Sequence, residues 1–296
     1  MKECSWYDKN EKRWHTRLLW QENQNQIGTN FNCCKRIAKH LHTSMARKGK
    51  LEEIDKAFQE FFDGKFAEFC EPLKPNQLGS YIPCHPVFTP HKTTTRCRIV
   101  MNCSSKTETG NSLNSLLPKG PLLLPEYPHV LLRFRVKKYA FAMDISKMFL
   151  QILIDPDDRE FLRFYWINKD GKEMHCRMRC LVFGAVSSPF QAIWVIQQHV
   201  QMFGEQFPLA MIHVLTNLYM DDVCSSEDTH QRACQAVKEL FEVFSLASMK
   251  THKWISNDLS VLKCIPPEDI TKDSIVKMLG QSWNHQSDEL IFSFTS

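Results

Sequence analysis

Residues 139–154, YAFAMDISKMFLQILI, and residues 216–227, TNLYMDDVCSSE, decide how this chain folds. Both put aspartate in or at the end of an apolar run, where a carboxylate is costly unless it is paired, hydrogen-bonded or coordinated. Asp144 lies in a strand read over 139–145, and Asp221 and Asp222 follow a strand read near 211–219. Neighbours along a strand point to opposite faces, so Asp221 and Asp222 converge only if they occupy the bend itself. Taken alone, Asp144 also reads as the cap of a following helix, and Asp221 with Asp222 as an Asp-rich turn. If the two strands adjoin in one sheet, three carboxylates meet at its edge and can hold two Mg²⁺ about 4 Å apart, which suits in-line phosphoryl transfer.

Working outward, Pro189 opens a helix with Ile193, Trp194, Ile196, Val200 and Phe203 on its buried side. Asp228 reads as the cap of a second helix, whose stripe is Ala233, Val237, Leu240, Phe241 and Phe244. Strands are expected at 98–101 and 161–167, the latter turning through Gly171 into 173–179. Upstream, helices are expected over 33–46 and along Leu51, Ile54, Phe58, Phe61 and Phe62, with Gly64 as a terminating glycine. Five prolines between Glu71 and Pro90 exclude a long helix there. Strand, helix, strand hairpin, helix is the order of a split βαβ, ferredoxin-like α+β unit.

At 296 residues, 43% hydrophobic and 24% charged, the chain is ordinary globular material rather than disordered or fibrous. No apolar run reaches the ~18 residues of a spanning helix, and the start lacks a signal-peptide core, so a soluble intracellular protein without membrane contact is expected. The 12 cysteines include no facing CxxC pairs, which argues for reduced thiols; His175, Cys176 and Cys180 lack an evident fourth ligand. The net charge of +4 hides an asymmetry. Residues 1–140 hold 23 Lys and Arg against 13 Asp and Glu (+10), and the remainder 14 against 20 (−6). Residues 91–140 carry nine basic side chains against Glu108 and Glu126, a surface suited to phosphates.

Eight blocks, in order, resemble the reverse transcriptase (Pol) of Bel/Pao-type LTR retrotransposons. They are YIPCHPV, TTTRCRIVMNCSSKTETGNSLNSLLPKGP, LLRFRVKKYAFAMDISKMFLQI, FLRFYW, LVFGAVSSPF, YMDD, HKWISN and VKMLGQSWN, within residues 32–294. The resemblance implies a right-hand polymerase. Its expected parts are an N-terminal segment (1–31), fingers (32–138 and 155–183) and palm (139–154 and 184–296), ending at the start of a thumb.

By the same resemblance Asp144, Asp221 and Asp222 are catalytic and hold two Mg²⁺, with Mn²⁺ as an alternative, and the Ile145 carbonyl joins them. Arg98, with Lys92 as companion, matches the residues on the incoming triphosphate; arginine suits bidentate phosphate contact and lysine a point charge. Phe149 matches the wall against a sugar 2′-OH, its other reading being a core phenylalanine. Phe183, Gly184 and Met220 line the nucleotide pocket, and Lys253 stands near the leaving pyrophosphate as a general acid. Ser188 and Pro189 open the template-side helix; Tyr219, Leu279 and Gly280 contact nucleic acid, the last two as the turn that grips the primer end.

Two departures stand out: Asn102 where aspartate is usual, and SLASMK in place of a glycine-containing turn before KW. Sixteen residues follow Gly280, so a missing thumb is expected, and with it a Pol fragment, a degenerate copy or a cellular derivative. The implied partners are an RNA or DNA template with primer, dNTPs and the rest of a Pol polyprotein. The implied location is a cytoplasmic virus-like particle, or the nucleus. Two rivals are an inactive nucleic-acid-binding remnant and an RNA-dependent RNA polymerase, the second disfavoured by Phe149.

Overall fold

A computed structural model describes residues 1–21, 24–89 and 97–291. The first elements are β1 (Ser5–Asp8), β2 (Arg13–Thr16), α1 (Phe31–Arg47), α2 (Leu51–Asp63), β3 (Ala67–Phe69), β4 (Cys84–Phe88) and β5 (Cys97–Met101). There follow α3 (Leu113–Leu116), α4 (Tyr127–Val136), β6 (Tyr139–Ile145), β7 (Leu153–Ile154), β8 (Arg163–Ile167) and β9 (Glu173–Met178). The remainder is α5 (Ser188–Met202), α6 (Pro208–Asn217), β10 (Leu218–Tyr219), β11 (Asp222–Glu227), α7 (His230–Leu246), β12 (Thr251–Ser256), β13 (Ile275–Met278), β14 (Gln281–Asn284) and β15 (Glu289–Ile291). The chain divides into two compact units.

The first unit comprises Met1–Tyr7, Trp14–Pro121 and Phe149–Gln191. Its sheets run β3-β9-β8, β4-β5 and β1-β2-β7. All of β8 is buried, and Phe58 of α2 stacks on Trp166, ring centroids 3.8 Å apart. Arg163 is buried at 3% exposure, which is tolerable because its guanidinium is fully engaged. It donates to Glu160 Oε2 (2.7 Å), to the Glu71 carbonyl (2.7 Å) and to Tyr81 Oη (3.3 Å), and so ties down the proline-rich crossing. Gly64 caps α2 at φ −77° and Lys65 takes the left-handed position instead; a Cβ on Gly64 would lie 2.3 Å from the Phe66 ring.

The second unit comprises Asp8–Arg13, Leu122–Met148 and Ala192–Ser296. Its main sheet is ordered β10-β11-β6-β12, with β11 and β12 each antiparallel to β6. Taken as first to fourth strands, β6, β10, β11 and β12 stand in the order 2-3-1-4, the split βαβ arrangement. Alternation along β6 sends Phe141 toward His213 of α6, while Ala140 and Ala142 join Cys224, Val130, Phe134 and Trp283 in a core on the other face. Fully buried Trp283 fastens the β13-β14-β15 sheet to that face.

Two sequence expectations fail here. The apolar run expected as a strand near 211–219 is helix α6, with only Leu218 and Tyr219 extended. Its buried residues Ala210, His213, Val214 and Asn217 recur at helical spacing, and Pro208 preorganises its first turn. Asp228 is not the cap of α7: Thr229 Oγ1 accepts the Arg232 N–H (3.3 Å), while exposed Asp228 pairs with Lys137. Among the described residues, no helix is long and apolar enough to cross a membrane.

Candidate functional site

The register between β6 and β11 places Asp222 directly opposite Asp144. Tyr219 pairs with Asp222, leaving Met220 and Asp221 as the bend. Met220 has φ +56°, the left-handed value that a II′ turn needs at its first central position, and the Asp221 carbonyl accepts the Ile145 N–H (2.8 Å). Asp221 thus reaches the site from the bend and Asp222 from the pleat, on the face of Ala142 and Cys224.

Like charges directly opposite on a sheet repel. Desolvation, then Asp221 and Asp144, push the Asp222 carboxyl up to about 7. Desolvation and Asp144 raise Asp221 also, although that residue is exposed. Asp144 goes the other way: burial works to raise it, but hydrogen bonds from His252 and Lys253 prevail and lower it. His252 Nε2 lies 2.6 Å from Asp144 Oδ1, and Lys253 Nζ donates to Oδ2 at 2.8 Å. Consecutive strand residues ordinarily diverge; here the β12 register shifts after His252 and Lys253 has φ +52°, so one bulge turns both side chains onto one carboxylate. Nothing in HKWISN announces that bulge, and His252 was not singled out from sequence. Ser248, at φ +52°, fills the left-handed position that SLASMK denies to glycine.

Among the described residues, no three His, Cys, Asp or Glu side chains are gathered as an ion cage. The donor chemistry nevertheless fits a hard divalent cation: of three carboxylates, two have their pKa raised by desolvation and by neighbouring carboxylates, a cost that positive charge would relieve.

Leu279 (φ +47°) and Gly280 (φ +81°) form the two-residue turn between β13 and β14, both left-handed as a I′ turn requires. Tyr127 Oη donates to the Leu279 carbonyl (2.6 Å) and its ring packs edge-on against Tyr219. Tyr127 is a tie between turn and sheet that sequence reading missed.

The remaining sequence candidates belong to the first unit. Arg98 is exposed on β5, opposite Val87; Lys92 lies outside the described residues. Phe149, in a 3₁₀ turn (Met148–Gln151), is 7% exposed, its ring 4.8 Å from that of Phe183, which is 46% exposed. Gly184 has φ +116°, and a Cβ there would lie 2.2 Å from the Met101 carbonyl oxygen. Asn114, another residue missed from sequence, clamps this loop: its Nδ2 donates to the Gly184 carbonyl (2.9 Å) and its Oδ1 accepts the Val186 N–H (2.8 Å). Ser188 is buried, its hydroxyl donating to the Val182 carbonyl (2.9 Å) at the start of α5; Pro189 is exposed. Asn102 Oδ1 accepts the Ser104 N–H (3.2 Å) in the turn after β5.

Comparison with known proteins gives a consistent result. The family model for reverse transcriptase (RNA-dependent DNA polymerase) matches residues 91–282. The foamy viral protease-reverse transcriptase dRH in complex with double-stranded DNA is similar at 16% identity and TM-score 0.53, over 80% of this chain and 35% of that one. The foamy viral protease-reverse transcriptase with an RNA/DNA hybrid is similar at 17% identity and TM-score 0.52, over 80% and 26%. The Prototype Foamy Virus protease-reverse transcriptase CSH mutant gives 17% identity and TM-score 0.53, again over 80% and 26%. This chain therefore spans about a third or less of the length of these structures. No curated protein matches the sequence.

Proposed function

The chain belongs to the reverse transcriptase family, and we propose that it is an RNA-directed DNA polymerase module that extends a primer 3′-OH with dNTPs on an RNA or DNA template. The observation that carries this reading is the Asp144–Asp222 register with Asp221 in the adjoining bend. In this reading fingers comprise 32–138 and 155–183, palm comprises 139–154 and 184–296, and the finer kinship is to Bel/Pao-type elements.

Asp144, Asp221, Asp222 and the Ile145 carbonyl would hold two Mg²⁺. Bound there, such ions lower the pKa of the primer hydroxyl and neutralise the triphosphate. Arg98, with Lys92, binds the triphosphate, Phe149 excludes a 2′-OH, and Phe183, Gly184 and Met220 contact the nucleotide. Lys253 leaves Asp144 to protonate the departing pyrophosphate oxygen. Pro189 and Tyr219 contact nucleic acid, buried Ser188 serving to open the template-side helix ahead of Pro189, and Leu279 and Gly280 hold the primer end.

One observation favours binding without synthesis: both Asp144 oxygens are already engaged, Oδ1 by the His252 ring and Oδ2 by the Lys253 ammonium. A primer-extension assay with dNTPs or rNTPs, with and without Mg²⁺, separates the two readings. Mg²⁺-dependent extension with dNTPs is expected; duplex binding with no extension under any condition would leave only the binding role.

A further inference from the structure

Residues 31–50 contain six Lys and Arg and no Asp or Glu. Helix α1 turns Cys34, Ala38 and Met45 inward, and the opposite side carries exposed Arg36, Lys39, His40, Thr43, Arg47 and, at the helix end, Lys48. Positions 36, 39, 40, 43 and 47 share one face. Lys39, His40, Thr43, Arg47 and Lys48, with Ser44, line an open hollow of about 520 Å³. Lys39 is shared with Glu173 at 3.5 Å, and Lys35 pairs with the same carboxylate. Among the described residues, Arg36, Arg47 and Lys48 form no ion pair. The following helix α2 carries the nearest acidic residues in sequence, so apart from the Glu173 pairs to Lys35 and Lys39 the charge of α1 is left facing solvent.

We propose that this face of α1 is a separate attachment site for a single strand of nucleic acid, held through its phosphates without regard to base sequence. The proposal rests on the polymerase reading only for the presence of such a strand. The row from Arg36 to Arg47 extends about 16 Å at 1.5 Å per residue. It lies along a single helix face and meets Glu173 at Lys39, which suits one phosphate chain better than the two of a duplex. Arginine and lysine alternate with the hydroxyl of Thr43 and the ring of His40, and no aromatic platform is present for base stacking on this face.

The test is fluorescence anisotropy of the whole chain with a labelled single-stranded RNA of about 12 nucleotides, across a salt series. The quadruple variant R36Q/K39Q/R47Q/K48Q should bind about tenfold or more weakly, with a log–log salt slope shallower by up to about 2.8, four phosphates at 0.7 each. The swap R36K/K39R/R47K/K48R should restore both, which separates lost charge from lost folding. The maximal primer-extension rate at saturating primer-template should be the same in the wild type and the quadruple variant. Unchanged affinity and slope in the quadruple variant would overturn the proposal. So would an effect on binding to anionic phospholipid vesicles alone. If the wild type extends no primer while the quadruple variant still loses RNA affinity, the polymerase reading fails and this one stands.

Discussion

Asp222 is the residue whose charge is least at ease. Its pKa of about 7 exceeds that of an unfolded aspartate, so between roughly pH 4 and 7 the folded chain binds the extra proton and loses stability as pH rises. In a chelator, Asp222→Asn should therefore be more stable than wild type at about pH 8 by on the order of 1 kcal/mol, discounted for partial exposure, and no more stable near pH 4. A pH series of thermal melts checks this; equal melting points at high pH would mean that the crowding is not there. His213 acts in the opposite sense, since burial pushes it down to about 4 and its contribution is lost as pH falls below its unfolded value. Phe149 poses a different question. Its ring packs on Phe183, and Phe149→Val should raise rNTP use relative to dNTP use by removing a clash rather than adding an attraction. An unchanged preference would return Phe149 to a packing role.

At the scale of elements, turns set the site. Gly184 approaches the β5 carbonyl at Met101 so closely that Gly184→Ala should cost about 1–3 kcal/mol and weaken dNTP use, read by chemical denaturation and by KM. Wild-type stability in that variant would mean the loop seats differently. Trp283→Ala should cost about 3–5 kcal/mol and free the β13-β14-β15 sheet to exchange amide hydrogen, because its ring sits in the core shared with Ala140 and Ala142. Much of this was legible in sequence. The short apolar run of 139–145 gave strand β6, and aspartates set in or beside apolar runs singled out the three carboxylates that the β6–β11 register brings together. The β12 bulge was not legible, since no glycine marks it and it is imposed by pairing with β6. Helix α6 was misread because a short apolar run fits either period, and the burial of His213 and Asn217 that identifies it depends on tertiary hydrogen bonds to Ser225.

At the scale of the whole chain, the proposed function assigns nucleic-acid binding mainly to residues 1–140, with a net charge of +10, and phosphoryl transfer to the carboxylates within residues 141–296, with a net charge of −6. Binding of a primer-template should therefore weaken steeply with salt, about 0.9 logarithmic units per tenfold salt for each phosphate neutralised, and variants of the aspartates should leave that slope intact. The most direct measurement pairs the two properties: extension of a DNA primer on an RNA template with dNTPs and Mg²⁺, and binding of the same duplex, for wild type, Asp144→Asn and Asp221→Asn. Extension lost in both variants with duplex affinity unchanged is the expected result. Extension near the wild-type rate in either variant would contradict the placement of phosphoryl transfer at these carboxylates.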